Sequence, residues 1–385
     1  MSELLKALEA EELLDQERQQ RAKQYARISR WLFVVDLVLG TAYVVTWILA
    51  GFSPWLRDQI HLSVQATWLS VPLFALGFGL PYSILTAPLT YYSGFVLPHR
   101  YGQSTQTFRA WLWDQLKGLL LAGVLGLIVL EVIYALLGYF PQTWWLWAAV
   151  VMLIFTVILS NLAPVLIFPL FYKYKPLDDA DLVNRLTHLA NQAGATVQGV
   201  YVFDMSSKTV AANAALMGLG NTRRIVLGDT LVEKFTASEI ETVLAHELGH
   251  HVHRDLPLGI LVQSFLTLVG FWLADGVMGW GVSTFQYAGL TDPATLPLLL
   301  VALSIFGLVT MPLSNTWSRW REVKADLYAL RTTRKPRAFM SAMTRLANQN
   351  LAEADPPAWI EFLLHSHPSI SKRVAAAKAF EQSRL

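Results

Sequence analysis

His246, Glu247 and His250 spell H-E-x-x-H in a run that reads as a helix. Two histidines four residues apart project from one helix face about one turn (~5.4 Å) apart, so both imidazoles can reach one ion. Glu247 lies on nearly the same face, placed to take a proton from a metal-activated water rather than to bind the metal. Downstream, Glu322 and Asp326 are again four apart. In zinc peptidases whose third ligand is a glutamate, that residue comes from a later helix, and an acid four residues on orients a histidine ligand. Glu322 is therefore the expected third ligand and Asp326 the orienting carboxylate. Either motif alone is common by chance, and E-x-x-x-D is usually a solvated helix face. Together they predict one Zn²⁺ per chain and hydrolytic chemistry.

The elements that must hold these residues can be read next. Ile240, Val243 and Leu244 recur at helical spacing, with Ser238 as the expected N-cap and Glu241 completing a capping box. Residues 178–193 carry Leu182, Leu186 and Leu189 on one stripe of an amphipathic helix, and residues 197–203 and 224–227 read as short strands. Residues 208–218 read as an ordinary hairpin strand, although a strand beside a metal site could also hold an extended peptide by strand addition.

Composition sets the surroundings. Of 385 residues, 54% are hydrophobic and only 15% charged, which excludes an ordinary soluble enzyme. The formal net charge of +2 gives no support to a nucleic-acid partner. With no cysteine, disulfides are excluded and a metal must be held by nitrogen and oxygen. Six stretches of about 20 mainly apolar residues qualify as spans: 31–52, 67–91, 118–140, 144–170, 257–280 and 295–313. Lys and Arg crowd the leading segment, the second connection, the long fourth connection and the tail, and are sparse elsewhere. That alternation predicts both termini and the metal motif on the cytoplasmic side, with the fifth and sixth spans forming an up-and-down pair that returns Glu322 to the two histidines. Asp36, Glu131, Asn161 and Asp275 fall inside spans and need a partner, a span end or a wet cavity. Residues 1–30 are charged and lack a signal-peptide core; they are expected to lie on the membrane surface as an amphipathic segment.

From about Gly77 onward the chain resembles the CAAX prenyl protease 1 family, integral-membrane zinc endopeptidases that process prenylated C-termini. The resemblance rests on ordered pieces: Gly79 to Ser83, Phe95 to Thr107, Ala163 to Phe171, Asn213 to Gly218, Arg224 to Leu231, the two metal motifs, and His367-Pro368 with Arg373. It implies that Asn213 and Ala214 contact substrate backbone on an edge strand. It also implies that His367 and Arg373 act catalytically, stabilising the oxyanion and positioning the peptide. Eukaryotic members have seven spans around a water-filled chamber, whereas six are counted here. The absence of cysteine and the compact termini suggest a prokaryotic protein of the inner membrane.

The expected fold is mostly α: a polytopic membrane protein with a cytoplasmic zincin-type α+β catalytic domain. It divides into residues 1–30, spans one to four over 31–171 with a cytoplasmic loop at 92–117, catalytic residues 172–256, spans five and six over 257–316, and a catalytic tail at 317–385. The expected function is zinc-dependent cleavage of peptides or membrane-associated proteins, with the lipid bilayer as the other partner and protein quality control as a setting. The alternatives are a membrane binding or transport protein with a structural or vestigial zinc site, and a non-proteolytic scaffold. Glu247 is a residue that a structural site would not need.

Overall fold

Backbone polar groups must be satisfied internally within hydrocarbon, so the apolar stretches close into helices. In a computed structural model, which describes residues 14–218 and 223–383, six helices are long and apolar enough to cross a bilayer. They are Gln16–Leu49, Thr67–Arg100, Phe108–Tyr139, Trp144–Phe171, Asp255–Phe285 and Pro293–Thr333. Phe74, Trp144, Phe271 and Leu298 are buried where these helices meet, while Trp31, Leu120, Phe265 and Val309 are exposed on their outer faces. The intramembrane polar residues find different surroundings. Trp144 Nε1 donates to Asp275 Oδ1 at 2.6 Å, and Asn161 Nδ2 donates to its own helix at Val157 O, 2.8 Å. Asp36 lines a cavity with Ser29, Thr90 and Ser93. Glu131 Oε1 is buried without a hydrogen-bond partner among the described residues.

The first span departs from expectation. Helix Gln16–Leu49 starts at an Asp15 N-cap and continues past residue 30 without a break, so residues 16–30 form no separate surface segment. The cause is a docking contact with the far end of the chain. Arg18 Nη1 donates to Asn348 O at 2.9 Å, Gln19 Nε2 to Ala352 O at 3.1 Å, and Arg30 pairs with Glu353 at 2.8 Å. Two of the segment's charges, Arg18 and Arg30, thus serve a tertiary interface rather than a lipid surface. Residues 1–13 lie outside the described residues.

Between the fourth and fifth spans the chain builds a four-stranded sheet. Strands β1 (Tyr174–Pro176), β2 (Val200–Phe203), β3 (Ala214–Met217) and β4 (Arg224–Gly228) lie in the order β1-β2-β4-β3. The β2–β4 pairing is parallel, and β1–β2 and β3–β4 are antiparallel. The expected amphipathic helix is present as Ala180–Gln192, with Leu182, Leu186 and Leu189 buried against the sheet and the histidine helix Ala237–Val252. That last helix opens with a capping box formed by Thr236 and Glu239, not by Ser238 and Glu241. Two residues decide it: Thr236 is the last in extended conformation, and Glu241 is drawn away to Arg185 and Lys335.

The glutamate helix, Leu296–Thr333, has 38 residues and is about 57 Å long, far more than a bilayer requires. No Gly or Pro follows the apolar part until Pro336, so nothing stops the helix at the membrane surface and it carries Glu322 into the catalytic domain.

Candidate metal centre and active site

The histidine helix presents Ile240, Leu244, Ala245 and Leu248 to the domain core, which fixes its rotation and leaves His246 and His250 on the face toward the glutamate helix. The two helices pack backbone to backbone at Gly249. A Cβ there would lie 2.9 Å from Ala325 Cα and 3.1 Å from its carbonyl, so the motif position before His250 has room only for glycine.

At this crossing His246 Nε2 lies 3.2 Å from His250 Nε2 and 3.2 Å from Glu322 Oε2, while His250 Nε2 lies 3.4 Å from Glu322 Oε1. Four ligands at about 2.0–2.1 Å around a tetrahedral zinc are about 3.3 Å apart, which these separations match. Among the described residues Glu322 Oε2 is buried without a hydrogen-bond partner, and the three side chains form a cluster able to hold a metal ion. A buried carboxylate oxygen left unpaired among two imidazole nitrogens is costly unless a cation completes it.

Each histidine is turned by its other nitrogen. His246 Nδ1 lies 2.8 Å from Asp326 Oδ1, and His250 Nδ1 lies 2.7 Å from Asp255 Oδ2. A carboxylate at Nδ1 fixes the proton there and leaves the Nε2 lone pair for the metal. Each aspartate is in turn held by an arginine. Arg373 Nε donates to Asp326 Oδ2 at 2.8 Å, and Arg321 Nε donates to Asp255 Oδ1 at 2.5 Å. Arg321 also donates to His253 O at 2.6 Å, closing the turn between the histidine helix and the fifth span. The result is two parallel Arg–Asp–His chains. Burial acts to lower the His246 pKa, but the nearby carboxylates of Asp326 and Glu322 outweigh it and push it up to about 9.

Glu247 lies close enough to His246, His250 and Glu322 to feel their charges and is hydrogen-bonded to none of them. Burial raises its pKa, helped by Glu322 and opposed by His246 and His250. His367 Nε2 approaches Glu322 Oε1 to 3.2 Å with its side chain 60% exposed, so it faces the open side of the centre. Arg373 is almost fully buried on the Nδ1 side of His246, opposite the ring nitrogen that faces Glu322.

Ala214 begins the edge strand and Asn213 immediately precedes it. Asn213 O accepts from Gly228 N–H at 2.9 Å, so ladder alternation turns the N–H and C=O of Ala214 and Leu216 toward the edge that has no strand among the described residues. The Ala214 N–H is held by the Asn213 side chain, at 2.9 Å from Oδ1. Residues 208–218 thus contain both the expected hairpin strand and an open edge.

All nine expected site residues fall in this region. Sequence reasoning missed Asp255 and Arg321. Asp255 is visible only as an acid in the first turn of an apolar helix, which reads as a complement to the helix dipole.

Six spans, a small sheet with an open edge and a His-His-Glu centre at a helix crossing define a membrane-embedded metalloprotease. The chain belongs to peptidase family M48, whose model matches residues 176–381, and residues 6–173 match the CAAX prenyl protease N-terminal model, described as having five membrane helices. Four of the spans described here fall in that second region. Within the family the chain groups with the CAAX prenyl protease 1 proteins. It is 31% identical to an uncharacterized metalloprotease, YhfN, of Bacillus subtilis (strain 168), over 94% of this chain and 86% of that protein. It is 29% identical to a probable CAAX prenyl protease 1 of Schizosaccharomyces pombe, over 95% of this chain and 80% of that one. The crystal structure of S. mikatae Ste24p superposes with a TM-score of 0.85 at 25% identity, covering 95% of this chain and 90% of that chain.

Proposed function

We propose that this protein is a zinc endopeptidase that cleaves peptides or membrane-associated proteins reaching it from the cytoplasmic side. The observation that carries the reading is the convergence of His246 Nε2, His250 Nε2 and Glu322 at tetrahedral spacing around an orphaned carboxylate oxygen. When bound, zinc supplies a Lewis acid that acidifies water and polarises the scissile carbonyl. His246, His250 and Glu322 would hold it, one ion per chain. Asp326 and Asp255 keep the two imidazoles in the ligating tautomer, and Arg373 and Arg321 position those carboxylates. Arg373 thereby acts through Asp326 and His246 rather than on the peptide.

The substrate would lie as an added strand on the open edge of β3, aligned by the Ala214 and Leu216 backbone, with Asn213 at its end. Glu247 takes a proton from the attacking water and delivers it to the leaving amine, a role suited to a carboxyl group whose burial raises its proton affinity. His367, exposed beside Glu322, is placed to donate to the oxyanion. Cytoplasmic orientation follows from the Lys and Arg distribution, and membrane-protein quality control is the setting proposed.

The test is cleavage of an unlipidated and a farnesylated peptide by detergent-purified protein, with and without chelator. Chelator-sensitive cleavage restored by zinc is the expected result, and the ratio between the two peptides reads whether prenyl groups contribute. Intact peptides in the presence of stoichiometric zinc would contradict the reading.

A further inference from the structure

A cavity of about 420 Å³ opens beside the metal centre, with Glu247 and His250 among its lining residues. The end of the edge strand, Leu216 and Gly218, and the start of the fifth span, Leu256, Pro257 and Ile260, both line it. A peptide added to β3 would therefore place side chains in it. The walls are mostly apolar, yet Arg223 and Arg254 also line the cavity, and Glu247 is the single carboxylate among its described lining residues. Neither arginine has a carboxylate partner among the described residues, whereas Arg321 and Arg373 nearby are both paired. Arg254 has φ 54°, a left-handed conformation that suits Gly or Asn far better, so a bulky cation sits where the backbone favours a small residue.

We propose that this cavity is a substrate subsite for residues that combine apolar surface with a carboxylate, and that Arg223 and Arg254 bind the carboxylate. The proposal rests on the peptidase reading for its substrate class. The carboxylate can be an acidic side chain or a free C-terminus. An unpaired guanidinium bordering an apolar wall gains most from such a group, because the charged hydrogen bond forms away from bulk water.

The experiment measures binding of fluorescent peptides to zinc-loaded Glu247→Gln protein in neutral detergent, so that cleavage does not interfere. Peptides are matched in pairs, Glu against Gln within four residues of either side of the scissile bond, and free acid against amide at the C-terminus. At least one pair is expected to favour the carboxylate by about tenfold or more, and the pair that does so identifies its source. That ratio should fall toward one in Arg223→Gln, in Arg254→Gly (which suits the left-handed backbone) and in high salt on unmutated arginines. Thermal unfolding and zinc content report whether each variant is folded. Equal binding within every pair, or a preference that survives both substitutions, would overturn the subsite. So would variants that lose only binding to anionic lipid in nanodiscs, which would assign the arginines to headgroups. Charge-dependent binding without cleavage by the native protein would remove the peptidase reading and keep the subsite; cleavage without charge preference would do the reverse.

Discussion

Arg321 and Asp255, 66 residues apart in sequence, join the starts of two functions at one contact: Arg321 Nε donates to Asp255 Oδ1 at 2.5 Å while the other oxygen of Asp255 holds His250 Nδ1 at 2.7 Å. Arg321 immediately precedes Glu322 on the glutamate helix, and Asp255 opens the fifth span. One ion pair therefore ties the fifth and sixth spans together and orients a metal ligand. Asp255→Ala should weaken zinc binding by about 10–100-fold, as should Asp326→Ala on the other histidine. Competition against a chelator of known affinity measures this; unchanged affinity in both variants would show that the aspartates do not position the histidines.

Gly249 permits the helix crossing. Gly249→Ala should destabilise the protein by about 1–3 kcal/mol and reduce zinc occupancy, because the new methyl meets the Ala325 backbone rather than a movable side-chain end. Gly276→Ala, where nothing lies within 4 Å, is the control and should be neutral or slightly stabilising. Thermal unfolding with parallel zinc analysis distinguishes the two, and equal behaviour would refute the close-packing argument.

His367→Ala should lower kcat on the order of 10²-fold while zinc stays bound, as expected for an oxyanion donor outside the ligand set. Loss of zinc in step with activity would instead make His367 part of the metal scaffold.

Glu241 offers a pH test away from the metal. Burial pushes its carboxyl pKa up, but hydrogen bonds from Arg185 and Lys335 outweigh that and leave it below the ordinary carboxylate range. A depressed folded-state pKa contributes stability that is present above the unfolded value of about 4.3 and is lost as pH falls through the folded one. The Tm gap between wild type and Glu241→Gln should be widest near neutral pH and shrink on acidification below about pH 4.3. A gap independent of pH would place the effect in packing instead.

Local spacing made the ligands legible. His246, Glu247 and His250 share a helix face, Glu322 and Asp326 share another, and both patterns are visible within five residues. The spans were legible because bilayer thickness demands long apolar runs. The pairing of Arg321 with Asp255 was not, since it exists only once two spans are side by side. The expected cap lies two residues from the observed one because Ser238 and Glu241 offer the same local pattern as Thr236 and Glu239; the extended backbone at Thr236 and the pairing of Glu241 with Arg185 and Lys335 separate them. Within residues 16–30, Arg18, Gln19 and Arg30 face Asn348, Ala352 and Glu353, a contact that no short-range signal encodes.

The most direct test of the central claim is Glu247→Gln, assayed for peptide cleavage and for bound zinc on the same preparation. The expected result is one zinc per chain, an unchanged fold and cleavage reduced by several orders of magnitude, because the substitution removes the base and leaves the His246, His250 and Glu322 ligands in place. Zinc-replete Glu247→Gln protein that cleaves at the wild-type rate would contradict the account.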